Sequence, residues 1–165
     1  MVEARVDPDL SKAERYQELT RSLESLLEGE TDALANLANA SGLLAQYLDR
    51  INWSGFYLLR GEELVLGPFQ GKPACVRIPV GKGVCGTAAA RRTSVVVPDV
   101  NQFPGHITCD PASRSEIVIP ILQGGVLRGV LDVDSPEMDR FDEEDRSSLE
   151  KFVEALTPRV HWERL

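Results

Sequence analysis

Residues 52–59 read NWSGFYLL, and their texture decides the fold class. In an extended chain successive side chains alternate, so Trp53 and Tyr57 share one face while Phe56 and Leu58 share the other. The same aromatic and β-branched texture returns in ELVLGPF (63–69), CVRIPV (75–80), SVVVPDV (94–100), EIVIPIL (116–122) and VLRGVLDVD (126–134). These runs, bounded by Gly, Pro and polar clusters, predict six strands. Arg60-Gly61-Glu62 and Gln123-Gly124-Gly125 are turn signals, which make the first and last strand pairs antiparallel hairpins.

Outward from the strands the period changes. From Ser11 to Leu27, Tyr16, Leu19, Leu23 and Leu26 recur at three and four, the stripe of an amphipathic helix. Gly29 breaks it, Thr31 or Asp32 can cap a new start, and Leu34, Leu37, Leu44, Ala45 and Leu48 form a second apolar face. A short helix is expected over residues 84–92, after GKGVCG. A last helix opens at Asp142, with Leu149, Phe152, Val153 and Leu156 on one face and Pro158 as its stop. Terminal helices around a mostly antiparallel six-stranded sheet predict a two-layer α+β domain with those helices together on one face. The whole chain, residues 1–165, reads as one domain, with residues 1–10 as a flexible tail.

Composition narrows the function classes. The net charge of -8, from 26 acidic and 18 basic residues, repels nucleic acid and anionic lipid, so neither is an expected partner. No run approaches the ~20 apolar residues of a membrane span, and the N-terminus carries no signal-peptide pattern; a cytoplasmic protein is predicted. Three cysteines, an odd number at low density, argue against a secreted disulfide scaffold.

The long aperiodic stretch PDVNQFPGHITCDPASRS (98–115) exceeds the roughly 12–15 residues beyond which loops tend to be functional or disordered. Phe103, His106, Ile107 and Cys109 within it favour an ordered lid. Cys75, behind Pro73-Ala74 at the head of a strand, reads locally as a small buried hydrophobe. Cys85, near the start of the short helix, fits either a buried thiol or one whose pKa the helix terminus lowers. Cys109, in a polar loop between Thr108 and Asp110, reads as the reactive cysteine, working with a second one. The wide gap between Cys75 and Cys85 lacks the close ligand pair of a structural zinc site, so no metal is expected, and His106 reads as a hydrogen-bonding group of the loop. Asp132 and Asp134 share one face of the last strand, and Glu116, just beyond the loop, is placed to join them. Read locally, that is an ordinary solvated face.

Taken together, NWSGFYLL, GPFQGKPACVRIPVGKGVCGTAA, VPDVNQFPGHITCDPASRSEIVIPI and GVLDVDSP resemble the free methionine-(R)-sulfoxide reductases, a family of GAF-domain enzymes. The resemblance runs from about Ser11 to Leu156; its specificity lies in the cysteine spacing with HITCD and SEIV, and Thr108 stands where many members carry alanine. It implies a GAF-like fold with a loop-covered pocket on the face opposite the terminal helices. It implies that Cys109 is the catalytic cysteine, Cys75 the main resolving cysteine, and Cys85 a third thiol able to join disulfide exchange. Trp53 and Tyr57 would line the substrate pocket, with Glu116, Asp132 and Asp134 on the substrate, and with Glu116 and Asp134 also serving the chemistry. No cofactor is implied beyond a thioredoxin-like dithiol as external reductant; free methionine sulfoxide is the implied substrate, and a homodimer is compatible with the resemblance. Crowded carboxyls raise one another's proton affinity, supplying an acid near neutral pH while disfavouring a thiolate at Cys109. The rival readings are a GAF small-ligand sensor and a redox switch without turnover.

Overall fold

The computed structural model describes residues 5–165, so the first four residues of the expected tail lie outside the described residues. Within the rest of that segment, Val6 packs partly buried against the main core. Helix α1 (Lys12–Leu26) begins at a reciprocal cap: the Glu14 N–H donates to Ser11 Oγ, and the Ser11 N–H donates to the Glu14 carboxylate. Asp32 accepts from the Ala35 N–H to start α2 (Ala33–Tyr47). Then follow β1 (Trp53–Arg60), β2 (Glu63–Gly71), β3 (Arg77–Pro79), α3 (Gly83–Arg91), β4 (Val95–Val97), β5 (Ser115–Gln123), β6 (Val126–Ser135) and α4 (Glu143–Leu156). Asp142 caps α4 in the same reciprocal way with Asp145, and the helix ends just before Pro158.

All strand pairs are antiparallel, in the order β3-β2-β1-β6-β5-β4. Both expected hairpins form; Gly124 and Gly125 take positive φ in the β5–β6 turn, a conformation two glycines adopt without strain. The edge strands are shorter than the sequence runs suggest. Residues 94–100 pair only at Val95–Val97, because Pro98 brings no N–H to the ladder. Residues 75–80 contribute only Arg77–Pro79, since Cys75 is drawn out of the sheet to a distant partner.

The alternation of β1, β5 and β6 gives the sheet two unlike faces. Phe56, Leu58, Ile117, Ile119, Ile121, Leu131 and Val133 pack on α1, α2 and α4 through Leu19, Leu23, Leu37, Leu44, Leu149 and Phe152. Each such fully buried side chain stabilises the fold by about 1.5–3 kcal/mol. At the end of this layer Asp145 is wholly buried yet fully partnered: Arg140 at 3.3 Å, Lys12 at 2.7 Å and the Tyr16 hydroxyl at 2.6 Å all donate to it. On the opposite face only α3 and loops cover the sheet. Gly55, Tyr57, Val118, Val130, Asp132 and Asp134 look that way, and the site lies there.

Candidate active site

Register builds the floor of the site. Trp53, Asp134 and Glu116 lie side by side across β1, β6 and β5, and Gly55, Asp132 and Val118 form the next row. Gly55 leaves no side chain beside Asp132, and none would fit: a Cβ there would lie 2.3 Å from that of Phe69. The Trp53 ring stacks between Phe69 and Tyr57, with centroids 5.2 and 5.9 Å away. Both wall residues also hold the segment that carries Cys75. Trp53 Nε1 donates to the Lys72 carbonyl at 3.1 Å, and the Tyr57 hydroxyl donates to the Cys75 carbonyl at 2.9 Å.

The first turn of α3 brings Cys85 over this floor, its Sγ 3.8 Å from Glu116 Oε1. The roof is the stretch from Pro98 to Arg114, ordered as a lid. Its ends are joined where the Val100 N–H donates to the Arg114 carbonyl, and Val100, Phe103 and Ile107 turn apolar side chains inward. Ile107 sits directly on Gly83, which has positive φ and where a Cβ would come within 3.1 Å of the isoleucine. Asn52 Nδ2 latches the far end, donating to Asp110 Oδ2 and Ser113 Oγ at 3.1 Å each. Cys109 closes the lid covalently through a disulfide with Cys75, their Cα atoms 5.4 Å apart across a sequence separation of 34.

Trp53, Tyr57, Cys85, Cys109, Glu116, Asp132 and Asp134 all line this one pocket, and Cys75 is tied to it through Cys109. Two local readings are overturned. Cys75 is not an inert strand residue, because its partner arrives from the lid. The acidic face is not solvated either: Glu116 is 7% exposed and Asp132 5%, with Asp134 partly exposed beside them. What the sequence did not reveal is the latch of Asn52, Asp110 and Ser113, whose members carry no local mark. His106, read as a loop hydrogen-bonding group, lies in the roof with Nε2 3.9 Å from Glu116 Oε2.

The electrostatics follow from crowding, with no compensating buried cation among the described residues. Burial, and then Asp134 and Glu116, push the Asp132 carboxyl well above the usual carboxylate range. Burial and Glu116 raise Asp134 well above it, and burial raises Glu116. At Cys85 burial and the three acids favour the neutral thiol, which decides against a helix terminus that lowers its pKa. Burial lowers His106, so the imidazole is neutral near pH 7. The pocket is therefore one that holds protons tightly.

This sheet, flanked by α1, α2 and α4 on one face and a loop-roofed pocket on the other, is that of a GAF domain, whose family model matches residues 14–157. Among relatives, the free methionine-R-sulfoxide reductase of Escherichia coli is 54% identical over 147 residues, spanning 89% of this chain and 89% of its own. Protein YtsP of Bacillus subtilis is 56% identical over 147 residues, 88% of this chain and 90% of its own. The crystal structure of free methionine-R-sulfoxide reductase from Neisseria meningitidis in complex with its substrate superposes with a TM-score of 0.92 at 44% identity, covering 99% of this chain and 98% of that one. The chain belongs to the free methionine-R-sulfoxide reductase family of GAF-domain proteins.

Proposed function

We propose that this protein reduces free L-methionine (R)-sulfoxide to L-methionine, with Cys109 as nucleophile and Cys75 as resolving cysteine. The observation that carries the reading is the Cys75–Cys109 disulfide formed over a pocket of buried, proton-retaining carboxyls. Family membership supplies the substrate; the relatives of Escherichia coli and Neisseria meningitidis are named for that activity.

Cys109 attacks the substrate sulfur while an acid protonates the sulfoxide oxygen. The oxygen passes to Cys109, so the substrate leaves as the two-electron-reduced thioether and the enzyme holds a sulfenic acid. The Cys75 thiol then attacks the sulfenic sulfur, water departs, and the disulfide remains. A thioredoxin-like dithiol reopens it by exchange, taking the two-electron oxidation as its own disulfide. Glu116 and Asp134 are the proposed proton donors, because burial raises the proton affinity of both carboxyls. Remaining negative charge among Glu116, Asp132 and Asp134 receives the substrate ammonium, and the Trp53 and Tyr57 rings pack on its apolar part. Cys85, held as a thiol, is a reserve partner for disulfide exchange.

The lid explains why an intramolecular disulfide suits this site. Cys109 rides on a segment fastened at Asn52 and lines the pocket while it is bonded to Cys75. A dithiol-coupled assay with the separated R and S epimers of free methionine sulfoxide tests the proposal. Repeated turnover of the R epimer, one reductant oxidised per methionine formed, is expected. Binding without turnover of either epimer would replace it with a ligand-sensing role.

A further inference from the structure

Cys85 takes no part in the disulfide, yet two metal-competent carboxylates converge on it. Its Sγ, a carboxylate oxygen of Glu116 and one of Asp132 all lie within 4.8 Å of one another, and all three residues are buried. Bonds of about 2.3 Å to sulfur and about 2.0 Å to oxygen set donor–donor edges of roughly 3.3–3.5 Å in a tetrahedral zinc site. The 3.8 Å from Cys85 Sγ to Glu116 Oε1 is already close to that edge. Small side-chain rotations would close the rest.

A second observation points to a ligand rather than to chance crowding. Asp132 Oδ1 is buried on a residue only 5% exposed, and among the described residues no N–H or hydroxyl donates to it. Leaving such an atom unpaired is costly.

We propose that Cys85, Glu116 and Asp132 form a three-ligand binding site for one thiophilic divalent cation of the zinc class. One sulfur with two carboxylates favours such an ion over magnesium or calcium, which call for six or more oxygen ligands. Binding converts the Cys85 thiol to a thiolate and releases its proton to solvent. The site needs neither Cys75 nor Cys109, so it exists while they are joined. The cation takes carboxylates that the proposed activity assigns to the substrate ammonium, and so acts as a competitive inhibitor; this consequence rests on that activity, the binding does not.

The test is a titration of the full chain in its disulfide form with Co²⁺ alone, followed by absorbance. Saturation at one equivalent is expected, with a near-ultraviolet sulfur-to-cobalt band, visible bands of tetrahedral intensity, and displacement of both by Zn²⁺. Cys85→Ser should lose the sulfur band and Asp132→Asn should weaken binding at least tenfold, each variant being checked for native circular dichroism. If Cys85→Ser does not fold, Asp132→Asn carries the decision. A folded wild type without the sulfur band, or variants that bind Co²⁺ as wild type does, would overturn the site. Because no turnover is involved, that result would leave the reductase reading standing. The added activity arm expects Zn²⁺ to raise the apparent KM for the sulfoxide without lowering kcat.

Discussion

Leu131 and Asp132 are neighbours on β6, yet they belong to two different kinds of protein interior. Leu131 enters a dry layer of helix and sheet in which the buried acid, Asp145, has Arg140, Lys12 and Tyr16 as partners. Asp132 enters a pocket whose acids face one another and a thiol, and among the described residues no N–H or hydroxyl donates to one of its oxygens. The first face lowers the free energy of the fold. The second holds groups in costly protonation states, which is how a proton-donating site is set apart from the scaffold that keeps it in place.

The comparison can be broken most sharply at the lid. Cys109→Ser should bring sulfoxide reduction to background, in single as well as multiple turnover, while the melting temperature of the reduced protein stays near that of wild type. Near-normal methionine formation in one turnover would remove Cys109 from the role of nucleophile. Glu116→Gln and Asp134→Asn come next: losing a general acid typically costs about 10²–10⁴-fold in rate, read as a fall in kcat/KM by folded protein. Asp132→Asn should raise KM more than it lowers kcat. Three folded amide variants with wild-type kinetics would return the pocket to a merely acidic cavity.

Leu131→Ala sharpens the contrast from the other side. Removing a fully buried leucine typically costs about 2–5 kcal/mol in stability, read by denaturant unfolding, with kcat per folded molecule kept. A smaller effect is a difference in the sign of pH dependence. A buried carboxyl whose folded pKa is raised contributes stability that is present below about pH 4, the ordinary carboxylate range, and lost as pH rises through the folded value. Asp132 is such a group. Asp142, at the cap of α4, is held low by the Asp145 N–H and by Lys12, so its contribution is present above that range and lost as pH falls. Thermal melts should therefore find Asp132→Asn more stable than wild type at pH 8, with the gain shrinking toward pH 4. Asp142→Asn should be less stable at neutral pH, with the loss shrinking on acidification. The same slope in both variants would contradict the assignment.

The two faces also differed in how far the sequence exposed them. Helices α1, α2 and α4 could be read to within about a residue from their apolar spacing and, for α2 and α4, from caps at Thr31 or Asp32 and at Asp142, because those signals are local, although Leu26, Leu34 and Ala45 of the predicted apolar faces are exposed. The alternation of Asp132 and Asp134 was legible too, but not their burial, which depends on α3 and a lid lying far away in the chain. Cys75 was misread locally for the same reason: its meaning resides in Cys109. Resemblance to a family supplied the pairing, since local spacing alone did not select it. The Asn52 latch escaped altogether, an ordinary polar residue made important by where Asp110 and Ser113 fold back.

The most direct measurement is a rapidly quenched single turnover. Fully reduced wild type is mixed with one equivalent of free methionine (R)-sulfoxide in the absence of reductant, quenched at the earliest times that yield product, and mapped by peptide mass. One methionine per chain with Cys75 joined to Cys109 and Cys85 free is the predicted result. Methionine formed with Cys85 joined to Cys109 at those times, or with Cys109 unmodified, would contradict the account.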